Sequence, residues 1–107
     1  MGNLTNEYGI KLDRNGYAPS IMQKAERCYM CGCGGLLHRH EIYGNAFRSK
    51  SKAFGLWVNL CPECHNAVHF VHAEWKMELR EQGQMVAQKY YGWNDNDFRE
   101  KFGKCYL

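Results

Sequence analysis

The residues able to do chemistry fall into two sets, and both pass through one stretch, Leu60-Cys61-Pro62-Glu63-Cys64-His65-Asn66-Ala67-Val68-His69. Cys61 and Cys64 have the spacing at which a tight turn aims two thiolates at one metal, and Cys28 and Cys31 supply a second such pair. Together they predict a structural, closed, four-thiolate Zn²⁺ site. In a helix entered through that turn, His65 and His69 stand at i and i+4 on one face, where two imidazoles can converge on a second metal ion or a phosphate. This second site can stay open. Upstream, Leu36-Leu37-His38-Arg39-His40-Glu41-Ile42-Tyr43 suits a short strand, with His38 and His40 on one face and Arg39 and Glu41 on the other. Two histidines with an adjacent carboxylate, ahead of a His-x-x-x-His helix, predict a functional cluster of His40, Glu41, His65 and His69. His40 is the stronger member of the strand pair.

The remaining elements must position these groups. Gly44 to Gly55 reads as a loop by composition, and its Arg48, Lys50 and Lys52 beside serines could hold phosphates, Arg48 bidentately. Leu56-Trp57-Val58-Asn59-Leu60 has the content of a second strand that leads straight into the second cysteine pair. Two strands and a helix make a ββα unit. Past His69, the recurrence of Trp75, Leu79, Val86 and Tyr90 predicts an amphipathic helix packed on that unit, weakened near Gly83. His72 could extend the histidine face. Gly92 ends the helix, and Asn94 or Asp95 caps a short one in which Phe98 and Phe102 are neighbours. Residues 1–27 read as an extended arm with a turn at Asn15-Gly16, its aromatics packing on the domain and its Lys11 and Arg14 available for nucleic acid. Cys33 is a spare thiol beside the zinc ligands, and Cys105 is buried or idle.

A chain of 107 residues makes one small domain, at which size a zinc staple is physically useful. The organisation expected is an arm over 1–27, a zinc-bound core over 28–72 and a helical segment over 73–107. The start lacks a basic region followed by an apolar run, so a reduced, cytoplasmic setting is expected, in which paired Cys-x-x-Cys means metal rather than disulfide. No apolar run reaches membrane-spanning length. The net charge of +3 permits an anionic partner without demanding one.

Cys28-x-x-Cys31, His40-Glu41-Ile42, Gly44, Arg48, Ser51, Gly55-Leu56 and Leu60-Cys61-x-x-Cys64-His65 with His69 together resemble the HNH endonucleases of the ββα-metal (His-Me finger) group, closest to the small phage and prophage forms. The ending Phe102-Gly103-Lys104-Cys105-Tyr106-Leu107 is similar too. The resemblance implies a small zinc-stapled α+β fold and hydrolysis of DNA phosphodiester bonds with a catalytic Mg²⁺ or Mn²⁺. It implies His40 as general base, Glu41, His65 and His69 as further catalytic and metal-binding groups, and Arg48, Lys50, Lys52 and His38 as substrate contacts. DNA is the implied partner, with phage packaging or recombination proteins as candidates, in a bacterial host cytoplasm and away from membranes.

Two departures from the family pattern matter. Counting from Ile42 puts His40 in the ligand position and Glu41 in the base position, whereas counting by chemistry makes His40 the base, because imidazole titrates near neutrality. The Asn that usually braces the active loop is missing, or is replaced by Ser51 or Asn59. Two other classes fit part of the pattern. A catalytically silent zinc ribbon that binds nucleic acid would keep the cysteines without needing the histidine set, and a zinc-bearing protein adaptor would show no salt-dependent binding to DNA.

Overall fold

The computed structural model describes residues 4–107, so the first three residues of the expected arm lie outside it. Two strands, β1 (His38–Glu41) and β2 (Trp57–Leu60), pair antiparallel with His40 opposite Val58 and Glu41 opposite Trp57. Four helices complete a small α+β fold: α1 (Arg48–Ala53), α2 (Pro62–Phe70), α3 (Ala73–Tyr91) and α4 (Asp95–Phe102). Both strands are shorter than the apolar runs suggested.

Strand alternation decides what each face of the sheet meets. Val58 and Leu60 are fully buried, and α2 packs on both strands with Val68 in the core. On the opposite face the Trp57 indole donates to the Ala18 carbonyl at 2.8 Å, so the N-terminal arm covers that side. The arm is firmly seated. Asp13 and Tyr17 exchange bonds across the predicted Asn15-Gly16 turn. Tyr8 stacks on Tyr91 at 5.0 Å and accepts from the Trp93 indole at 2.7 Å.

The basic segment between the strands is a helix, not the loop expected. Arg48 to Ala53 contains no Gly or Pro, and its Arg, Lys and Ala residues lose little side-chain freedom in a helix. Gly55 then turns the chain at a φ of 73°, and a Cβ there would meet the Pro19 carbonyl at 2.4 Å. Only glycine lets the arm pass this close.

Gly83 does not weaken α3, which runs through it without a break. Its missing side chain admits Tyr43, whose hydroxyl would lie 2.8 Å from a Cβ at that position. The buried stripe of α3 is Leu79, Gly83, Gln84 and Ala87, whereas Tyr90 is exposed and Trp75 only half-buried. The expected spacing was right for a helix and for Leu79, while the centre of the buried face lies toward Gly83, Gln84 and Ala87 instead of Tyr90. As expected, Asn94 caps α4 through a reciprocal pair of bonds with Asp97, and the Phe98 and Phe102 rings stack at 5.0 Å. No helix among the described residues is long and apolar enough to cross a membrane.

Candidate metal centres

The cysteine site is built by the start of α2. Cys61 is the N-cap residue in extended conformation, Pro62 follows in the first turn, and the Cys64 amide points at the Cys61 sulfur at 3.5 Å. The same turn that starts the helix therefore presents a thiol. Across from it, the Cys28 amide bonds the Cys33 carbonyl at 2.8 Å and the Tyr29 amide bonds the Asn59 carbonyl at 2.8 Å, which ties the first cysteine loop to β2.

The thiols of Cys28, Cys31, Cys33 and Cys61 all lie within 4.8 Å of one another, and the group is of a kind that could hold a zinc ion. Cys33, expected to be spare, belongs to this group. Cys64, expected as the fourth ligand, lies against Cys61, Cys28 and Cys31 but just outside that mutual distance. Five thiols thus face four coordination positions.

Their protonation is uneven in a way that suits a cation. Burial opposes ionisation of Cys28, but amides of Cys61, Cys31 and Met30 outweigh it and bring its thiol down to about 6. Cys33 is pushed up to about 12 by hydrogen bonds with Cys31 and Cys61, and Cys64 is raised by burial and by its thiol neighbours. One thiolate is stabilised by the backbone while its neighbours keep protons that a cation would displace.

The second set forms on the other side of α2. His65 and His69 extend from the helix toward β1, and with His40 their ligand nitrogens lie within 4.8 Å of one another. The three ring centroids are 5.0–5.4 Å apart. His40 is only 6% exposed, and its Nε2 is buried without a hydrogen-bond partner. An orphaned imidazole nitrogen aimed among two others is the arrangement a metal ion would satisfy. Burial, then the charges of His65 and His69, bring the His40 imidazole down to about 4, so it is neutral at physiological pH. Burial lowers His65 and His69 as well. The same burial that lowers all three disfavours their charged forms, and a neutral imidazole has one lone pair to offer a cation.

No protein-family model, curated protein or solved structure matches the chain. The site is therefore read from its own geometry.

Not every predicted residue joins it. His38 bonds His65 through the two Nδ1 atoms at 3.1 Å, from an exposed position, and so orients the helix imidazole instead of facing the cluster. Glu41 leaves the cluster too. Its two carboxylate oxygens accept from Tyr17 at 2.8 Å and from Arg48 Nε at 2.6 Å. Arg48 lines the same depression as His40, Glu41, His65 and His69, about 280 Å³ in volume. Lys50 is directed away, its ammonium on the Lys101 carbonyl at 3.1 Å, because alternate residues of a short helix cannot share a face. Lys52 lies over the Tyr17 ring at 4.7 Å, next to the depression but not lining it. His72 bonds Glu74 and stacks on Trp75 at 4.2 Å, outside the histidine set.

Two residues matter more than their sequence context suggested. Tyr17 reaches the depression from the arm, and no local pattern in the sequence points to it. Ser51 ties the end of β1 to the start of β2: its hydroxyl donates to the Leu56 carbonyl at 2.6 Å and accepts from the Tyr43 amide at 3.1 Å. Asn59, the other candidate, bonds through its backbone to Gln23 and Tyr29 and takes no part.

Proposed function

We propose that this chain is a metal-dependent endonuclease of the HNH type, hydrolysing phosphodiester bonds in DNA, on a ββα-metal core formed by β1, β2 and α2 and stapled by zinc on the cysteine cluster. The observation that carries this reading is the convergence of His40, His65 and His69 in an open depression that also holds the Arg48 guanidinium. A purely structural zinc module has no use for a second set of three converging imidazoles.

A divalent ion held by these imidazoles would polarise the phosphodiester and lower the pKa of water, so that the reaction needs no strong protein base. His40 acts in this reading as the innermost ligand and not as the base, since its nitrogen is buried and its affinity for a proton is low. This choice follows the count from Ile42. His65, oriented by His38, and His69 complete the set from the helix. Arg48 binds a phosphate oxygen with the guanidinium nitrogens that Glu41 leaves free.

The donor set bears on the metal. Imidazoles favour transition metals, while Mg²⁺ prefers carboxylate and water oxygens, and the one carboxylate in the depression is taken by Tyr17 and Arg48. Activity is expected with Mn²⁺, Co²⁺ or Ni²⁺ at lower concentration than with Mg²⁺.

The test is plasmid nicking by zinc-loaded protein across these metals, with His40→Ala and His65→Ala alongside and zinc content measured in each. Nicking that depends on the added metal and disappears in both variants at unchanged zinc content is the expected result. If no metal supports nicking while the protein still binds DNA, the chain is a zinc-bearing nucleic-acid-binding module. The histidine set then has no catalytic role.

A further inference from the structure

Glu41 is placed at the end of β1 with its side chain 11% exposed, while that of Arg48 is 63% exposed. One carboxylate oxygen takes the Tyr17 hydroxyl and the other takes Arg48 Nε. A carboxylate held at both oxygens has a fixed plane, and a guanidinium bonded through Nε has its own plane fixed in turn. The terminal nitrogens of Arg48 make no hydrogen bond among the described residues, and the residue lines the depression with the three histidines.

Tyr17 is itself held from several sides. Its amide donates to Asp13 Oδ1 at 3.0 Å, and Asp13 Oδ2 accepts from Arg39 at 2.9 Å. Its ring meets Trp57 edge-on at 5.5 Å, with the Arg39 guanidinium 4.5 Å from its centre and the Lys52 ammonium at 4.7 Å. None of these contacts uses the hydroxyl. The hydroxyl donates to Glu41 at 2.8 Å and lies close to the Arg48 guanidinium as well.

We propose that Tyr17 and Glu41 are positioning residues for Arg48, forming a relay that runs from the N-terminal arm through the carboxylate to the guanidinium and aims its free edge at a phosphate oxygen of the substrate. The inference rests on the nuclease reading for its substrate, though the relay itself is a property of the folded chain. It gives the arm a function: seating the arm on the sheet sets the angle of the phosphate clamp. It also assigns Glu41 neither a ligand nor a base role. The energetic logic is that of preorganisation, in which a long, half-solvated arginine is held in its binding geometry before substrate arrives.

The test compares Tyr17→Phe with wild type and with Arg48→Ala, in two measurements. The Phe ring keeps every ring contact and removes only the hydroxyl, so the variant should fold. The first measurement needs no activity: the ¹H–¹⁵N resonance of Arg48 Nε–H should be sharp and slowly exchanging in wild type, and should broaden and exchange faster in Tyr17→Phe. In the second, nicking in the metal that serves wild type best should drop roughly 10-fold in kcat for Tyr17→Phe, approaching Arg48→Ala, as a misaimed clamp predicts. A Glu41 acting as base would behave in the opposite way, because loss of the tyrosine donor frees one carboxylate oxygen for water and leaves the rate equal or higher.

An Arg48 resonance and a rate both unchanged in Tyr17→Phe would overturn the relay. A changed resonance with an unchanged rate would also overturn it, since the geometry would then not matter for the clamp. If wild type nicks with no metal, the nuclease reading fails separately. In that event the Arg48 resonance still decides whether the relay exists, and affinity of the zinc-loaded protein for a short DNA duplex decides whether it serves phosphate binding.

Discussion

Ser51 offers the sharpest test of how the site is held. Its side chain is completely buried, and its hydroxyl bridges the Tyr43 amide, just past β1, to the Leu56 carbonyl, just before β2. The Leu56 carbonyl keeps a second partner in the Ile42 amide at 3.1 Å, but the Tyr43 amide has no other acceptor among the bonds described. Replacement by alanine therefore strands one buried N–H, costing about 1–3 kcal/mol, and removes a hydroxyl–carbonyl bond contributing about 1 kcal/mol. The helix propensity of alanine returns only about 0.5 kcal/mol within α1. The expected net loss for Ser51→Ala is about 1.5–3.5 kcal/mol, or a fall in Tm of roughly 6–25 °C for a domain of this size.

Urea unfolding at neutral pH with saturating Zn²⁺ is the suitable assay, because a bound metal couples its own affinity to the folding equilibrium. Ser49→Ala, an exposed neighbour on the same helix, serves as the control and should stay within about 0.5 kcal/mol of wild type. A loss below about 0.5 kcal/mol in Ser51→Ala, with unchanged m, would refute the reasoning that this hydroxyl is the only acceptor for the Tyr43 amide. A cost of the expected size should be accompanied by weaker nicking. The segment Ile42–Gly44 that Ser51 pins connects the strand bearing His40 to the helix bearing Arg48.

Two further outcomes follow from the metal centres. Because five thiols face four coordination positions, Cys33→Ala and Cys64→Ala should each retain one equivalent of zinc by metal analysis, and the double variant, left with three thiols, should lose it; Cys28→Ala or Cys61→Ala, each removing a buried thiol, should bind zinc more weakly than either single variant. His40 gives a pH dependence with a definite sign. Its imidazole is held at about 4, below the ordinary value of 6.5, so between these pH values the unfolded chain binds a proton that the folded chain does not. The contribution is complete above about pH 7 and is lost as pH falls through this window, to a total of about 3 kcal/mol. The difference in urea midpoint between wild type and His40→Gln, followed from pH 7 to pH 4, isolates it. A difference that does not change with pH would show that the imidazole is not held neutral.

How much of this was legible in the sequence depends on the range over which each rule acts. The Cys-x-x-Cys turns, the His65 and His69 pair, the alternation in β1 and the Asn94 cap are rules spanning at most four residues, and each was readable. The relay to Arg48 was not, because Tyr17 and Glu41 are 24 residues apart and nothing near Tyr17 marks it. The direction of Lys50 and the role of Gly83 were hidden for a similar reason. Both depend on what the opposing surface offers: the Lys101 carbonyl in one case, and the Tyr43 hydroxyl in the other. The helix at Arg48–Ala53 was missed through composition, since a run of serines and lysines between glycines reads as loop until its one buried hydroxyl is known.

The roles of His40 and Glu41 form an intermediate case, where the sequence held the information and chemistry obscured it. Preference for an imidazole near neutrality made His40 the natural base, yet that preference assumes an unshifted imidazole in contact with water. The alternation that grouped His38 with His40 already set Glu41 on the face of Arg39, where the arm lies and where Trp57 pairs across from it. A residue on that face is available to Tyr17 and Arg48, while its neighbour on the other face is available to α2. Pairing pattern thus separates the two side chains before any pKa is considered. Burial then disfavours the charged form of His40, and in the proposed reading that desolvation suits a metal ligand better than a base.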